Sequence, residues 1–172
     1  MPMPGPDLWN FSVSLYEALG VSDACLCLQD ESDVDVPVLL FAAWLGTRSV
    51  PLPTDDLERI AESVDAWHDE VIVPLRTLRK RLKAGPAPAP GKRTEALRNM
   101  IKGAELSAER IELYVLEAAG LALAKADGAN PLENMAVAVR YYRGGDMSER
   151  ASSLIETIAE ALPLRGQPPQ IS

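Results

Sequence analysis

Three densely apolar segments within the first forty-five residues enclose one short polar island, and no other feature limits so strongly what this chain can fold into. The segments run from Leu8 to Tyr16, Ala24 to Leu28 and Val36 to Leu45, and the island is Gln29-Asp30-Glu31-Ser32-Asp33-Val34-Asp35. Segments this apolar must be buried against something. Polar groups held between them need a structural or chemical reason, because desolvating them without partners costs free energy. The longest run, Val36 to Leu45, is far short of the roughly 18 residues that a membrane span requires. A protein core is therefore expected, with no membrane span.

The spacing of apolar residues is helical almost everywhere, and no strand-like alternation stands out. Asp7 is placed to cap a first helix with Leu8, Phe11, Leu15 and Leu19 on one face and Gly20 as its stop. Ser22 is placed to cap a second helix through about Glu31, and Asp35 a third, with Pro37 in its first turn and Gly46 at its end. After the proline-broken stretch from Thr47 to Pro53, Thr54 to Glu58 opens a fourth helix with Asp55 and Glu58 spaced as a capping box. Its seam of Leu57, Ile60, Val64, Trp67, Val71, Leu75, Leu78 and Leu82 is the strongest period in the chain, interrupted by Pro74, so a kink or break near Val71 is expected.

Residues 84–92 read as a mobile, extended Pro/Ala linker on the surface. From Thr94 to about Lys125 one long amphipathic helix is expected, with Leu97, Ile101, Ala104, Ala108, Ile111, Val115 and Ala118 as its inward stripe. Asn130-Pro131 opens the next helix, and Asp146 with Glu149 the last, which Pro163 stops. The expectation is a single all-α domain over 1–172, an irregular bundle of about seven helices with a loose tail at 164–172.

Charge is segregated: residues 1–75 carry a net −12, Arg76 to Lys102 a net +8, and the remainder −4. An acidic protein is a poor ligand for duplex nucleic acid, whose affinity comes from neutralised phosphates. The basic segment Arg76 to Lys83 leaves an anionic ligand or an acidic partner open. Cys25 and Cys27 are spaced badly for a disulfide and read as reduced thiols, and the N-terminus lacks the basic start of a secretory signal, so a cytoplasmic protein is expected.

Recognisable chemistry is sparse. Counted as a calcium loop from Asp30, the island puts Val34 at a ligand position, Asp35 where glycine should turn and Phe41 where the closing acid belongs. The sole histidine, His68, precedes Asp69-Glu70 and reads as solvated on a charged helix face. No phosphate loop, nucleophile elbow or zinc-ligand spacing is present, so no catalytic residue, metal or cofactor is expected.

The string LWNFSVSLYEALGVSDACLCLQD followed by DVPVLLFAAWL resembles the N-terminal signature of a proteobacterial family known only as domain of unknown function 2390. The resemblance extends more weakly to Trp67, Pro74-Leu75-Arg76, Arg79, Leu82-Lys83 and Glu105 to Glu109, and it implies no activity. Pro37 stands where the family is expected to favour Asn. The residues read as a candidate site are Gln29, Asp30, Asp35, Trp44, Trp67, Arg76 and Arg79. In the bland reading the acids only cap helices. In the sharper one, Asp30 or Asp35 pairs with Arg76 or Arg79 across a groove between the third and fourth helices, lined by Trp44 and Trp67. The expected function is a noncatalytic helical interaction module, an adaptor or regulator that binds a protein partner through an interhelix groove. The alternative is a small-molecule-binding protein or enzyme with a carboxylate–arginine pocket between helices.

Overall fold

The structure is a computed structural model that describes residues 7–163; the tail expected to be loose, 164–172, lies outside the described residues. Among the described residues every regular element is helical, as expected: α1 (Leu8–Tyr16), α2 (Val21–Ser32), α3 (Val36–Thr47), α4 (Thr54–Trp67), a π-helical turn (His68–Ile72), α5 (Val73–Arg81), α6 (Lys92–Leu121), α7 (Pro131–Arg143) and α8 (Glu149–Glu160). Backbone angles stay helical from α4 through the π turn into α5, so the three form one continuous helix and the described chain has seven in all. No single helix among these residues is long and apolar enough to cross a membrane; α1 and α2 have the length and composition only together, with a 99° bend between them.

The chain groups into two compact units: Met1–Leu57 with Leu123–Ser172, and Glu58–Ala122. The second is thus inserted into the chain of the first.

The first unit is organised by α3. Every residue from Val36 to Gly46 is buried, and a helix that is apolar on all sides can only be a central one. It packs against α1, α2 and most extensively α7. Asp35 caps it, accepting from the Val38 N–H at a long 3.5 Å, and Pro37 costs nothing in a first turn that lacks hydrogen-bond partners anyway. Asp7 caps α1 through Asn10, and Asn130 caps α7 through Glu133, both as the sequence suggests. Two other caps differ. Gly20 in left-handed conformation, not Ser22, precedes α2, and Ser148 rather than Asp146 caps α8 through Ala151.

Two contacts fix α3 against α7. A Cβ on Gly46 would lie 2.3 Å from the Pro131 nitrogen and 2.4 Å from its Cα, so this glycine marks a close backbone approach instead of a helix stop. Buried Asn134 uses both ends of its amide. Its Oδ1 accepts from Leu52 N–H (3.0 Å), while Nδ2 donates to the Val50 and Ala42 carbonyls (2.9 and 3.2 Å). The loop between Pro51 and Pro53, which no helix or strand can satisfy, thereby gains its partners from α7.

In the second unit Pro74 explains the π turn. Proline has no N–H to offer the Glu70 carbonyl, and its ring would collide with it. The chain widens by one residue, and Val73 N–H donates to the His68 carbonyl five residues back. One extra residue rotates everything downstream by about 100°. The apolar seam therefore does not continue as a buried one, as its spacing suggests: Leu75 and Leu82 are only half-buried. Leu78 is 47% exposed, and α5 has no buried residue. The stripe moves by one position onto Arg76 and Arg79. After α5 the Pro/Ala segment winds through turns, with Ala89 N–H donating to the Pro86 carbonyl, and is not extended.

On an ordinary helix Gly→Ala gains about 1 kcal/mol. Gly46→Ala is expected instead to cost about 3 kcal/mol, because the methyl group meets backbone that cannot rotate away. Urea unfolding of the two proteins measures the sign.

Candidate functional site

The polar centre of the second unit is a seam between α6 and the segment running from the end of α4 through the π turn into α5. Arg76 Nε donates to Glu105 Oε1 (3.0 Å) and its Nη2 to Glu109 Oε1 (3.0 Å). Arg79 Nε donates to the other oxygen of Glu105 (2.5 Å). One turn further along α6, Glu112 Oε2 lies 3.7 Å from His68 Nδ1, and Trp67 Nε1 donates to the Ala108 carbonyl (3.0 Å). As residue numbers fall from Arg79 to His68, their partners rise from Glu105 to Glu112, so the two helices run antiparallel.

Burial gives these contacts their weight. The Arg76 and Glu105 side chains are 11% and 8% exposed, and Glu112 is fully buried. Charges this far from water are tolerated only with partners. Here two guanidinium groups converge on Glu105 and one of them continues to Glu109. The acids lie at steps of four and three along α6, which sets them on one face of that helix.

Two sequence expectations are overturned at this seam. His68 is not on a solvated charged face: its side chain is 15% exposed and turned to a buried carboxylate. The inward stripe of α6 is also not the one its apolar residues suggest. Of the seven residues expected on it, Ala108 is buried and Ile101 half-buried, but Leu97, Ala104, Ile111, Val115 and Ala118 are exposed, while Glu105, Glu112, Leu113, Leu116 and Gly120 are buried beside Ala108. The helix turns its acids inward because Arg76, Arg79 and His68 stand opposite, and its longest apolar stripe consequently faces solvent.

The seven residues singled out from the sequence divide between the units. In the first, Gln29 is half-buried and Asp30 exposed on α2, Asp35 is the buried cap of α3, and Trp44 is buried in α3 with the Arg48 guanidinium 4.5 Å from its ring centre. In the second, Trp67, Arg76 and Arg79 all bond to α6. Arg76 and Arg79 meet on Glu105, with Glu109 as a second carboxylate for Arg76, whereas Asp30 and Asp35, the acids read as their partners, belong to the first unit. The residues missed were Glu105, Glu109, Glu112 and His68 here, and Asn134 in the first unit. The acid spacing on α6, opposite a basic segment, was the available signal.

The thiols offer little chemistry. Burial pushes the Cys25 thiol up to about 12, so it stays protonated and neither attacks nor binds metal as thiolate at neutral pH. Half-buried Cys27 lies 3.8 Å from Arg150, whose guanidinium is engaged by Glu31 and links α8 to α2.

Because Glu105 answers two arginines, Glu105→Ala is expected to cost about 3 kcal/mol or more by removing the buried carboxylate on which both converge, whereas Arg98→Ala, on a more exposed pair with Glu95, should cost under about 1 kcal/mol. Chemical denaturation of the two variants checks the contrast.

No curated protein and no solved structure matches this chain. Residues 7–116 match the family described as "Protein of unknown function (DUF2390)", which takes in α1 to α5 and all of the α6 positions that build the seam. With more than half of its length inside that match, the chain belongs to the DUF2390 family.

Proposed function

We propose that this protein is a noncatalytic helical interaction module that binds a protein partner through the outer face of α6. The observation that carries the reading is the exposed apolar stripe of that helix, from Leu97 and Met100 through Ile111, Tyr114 and Val115 to Leu121. Water-facing apolar surface of this extent is costly unless something covers it part of the time, and contiguous patches of this kind mark interaction sites. The paired state of Arg76 and Arg79 supports the same reading. Their charge is met by Glu105 and Glu109, which leaves them poorly placed to recognise an anionic ligand. The seam beneath α6 is filled by these ion pairs, so we assign partner binding to its outer face and not to an interhelix groove. A cytoplasmic setting fits the two free cysteines.

One observation favours the alternative, a small-molecule-binding protein or enzyme. His68, at the start of a π turn, a feature that recurs at functional sites, is half-buried against the fully buried Glu112, and a histidine beside a carboxylate is able to move a proton.

The two readings separate in one purification. Affinity capture from the native organism should recover a partner protein, and Met100→Glu with Leu121→Glu should reduce its recovery at least tenfold while leaving the helical circular dichroism of the chain unchanged. A captured set indifferent to those substitutions would contradict the interaction module. A stoichiometric metabolite or metal ion retained by the native protein and lost from His68→Ala would establish the alternative instead.

A further inference from the structure

We infer that the outer face of α6 is a self-association surface on which a second copy of this chain packs its own α6 in antiparallel orientation. This rests on the interaction reading above and names its occupant. Along the 30 residues of α6, a span of about 45 Å, the exposed stripe advances in alternating steps of three and four: Leu97, Met100, Ala104, Ser107, then Ile111 and its continuation to Leu121. That is the seam of a two-stranded coiled coil.

The order of large and small residues selects the partner and its direction. Turned end for end about a two-fold axis near Glu109, the stripe meets itself with Met100 opposite Ala118, Ala104 opposite Tyr114 and Leu97 opposite Leu121. At the centre Ser107 faces Ile111. Each inner layer then holds one large and one small side chain, the pattern that fills space without strain. Parallel pairing would instead set Tyr114 on Tyr114 and Ala104 on Ala104, crowding one layer and emptying another.

Charge selects the same direction. The start of α6 carries Lys92, Arg93, Arg98 and Lys102 against Glu95 alone. A parallel pair would bring these basic starts together and align the two helix dipoles. An antiparallel pair sets each start beside the far end of its partner, where Glu117 lies and where the carbonyl end of the helix is partly negative.

The area is sufficient. The large side chains of the stripe are between 44% and 68% exposed, at Val115 and Met100 respectively. At those exposures they leave roughly 600 Å² of apolar surface per chain, at the top of what a monomer ordinarily shows in one patch. Two copies would cover about 1,200 Å², the lower bound of a specific stable interface. A reversible dimer follows, not a permanent one.

Sedimentation velocity of the full chain over a concentration series tests this. The expected result is a monomer–dimer equilibrium with a dissociation constant in the micromolar range, raised at least tenfold by Met100→Glu or by Ala118→Lys alone. The Met100→Glu, Ala118→Lys double variant should return close to the native value, because only the antiparallel register sets the new acid of one copy against the new base of the other. Both positions are exposed, and unchanged circular dichroism confirms that each variant folds. A monomer at every concentration, a dimer indifferent to both single variants, or a double variant that stays apart overturns the proposal. If the protein is monomeric but Met100→Glu still abolishes capture of a different partner, only the second copy is excluded. If that capture is also unaffected, the interaction reading falls with it.

Discussion

The placement of one buried carboxylate, Glu105, governs the second unit. It receives two guanidinium groups, Arg76 on one oxygen and Arg79 on both, at a position almost closed to water. Burying three charges is unfavourable unless they are brought together with good geometry, so this group adds little net stability compared with an apolar replacement. What it supplies is orientation. Once Glu105 must face α5, Glu109 and Glu112 follow at helical spacing, Ala108 is presented to the Trp67 indole, and the rotation of α6 about its axis is fixed. The apolar stripe is then on the outside by geometry. An uncovered row of leucine, methionine, isoleucine and tyrosine is thus a consequence of how the charges are satisfied, and it is what a partner would read.

The π turn is the other half of that device. Without it, the leucines at 75, 78 and 82 would continue the seam begun at Leu57, and an ordinary apolar hairpin would result. Pro74 forces the one-residue widening, and the widening brings Arg76 and Arg79 into the stripe. A single ring without an N–H changes which residues α5 shows to α6. In the first unit the organising principle is the reverse, since α3 has no polar face to satisfy and is buried on every side. There the specific contacts are Gly46, which lets the start of α7 approach to backbone distance, and Asn134, which supplies three hydrogen bonds to neighbouring main chain.

Much of this fold is legible in the sequence, for identifiable reasons. Caps such as Asp7, Asp35 and Asn130 are local, decided within three residues, and they were readable. So was the central burial of Val36 to Leu45, because nothing but a core accepts such a run. The interruption at Pro74 was readable as an event but not in its consequence, since a kink and a π turn share the same cause and differ only in how the lost hydrogen bond is made good. The inward face of α6 is not legible in its own sequence, because apolar periodicity reads as inward and that rule fails when the opposing helix offers cations. His68 was misplaced for the same reason, its partner being 44 residues away. Asn134 and Gly46 carry no local mark, because each is defined by a contact more than 80 residues distant along the chain.

Whether the acids of α6 face inward and its apolar stripe outward is read by thiol labelling along that helix. Single cysteines at Ala104, Ile111 and Ala118, and others at Leu113 and Leu116, would be introduced into a Cys27→Ser background and labelled at concentrations low enough to keep the chain monomeric. Labelling should be rapid at the first three positions and at least hundredfold slower at the last two, in keeping with their burial. The opposite pattern, with Ala104, Ile111 and Ala118 protected and Leu113 and Leu116 open, would show that the apolar stripe is the core face after all.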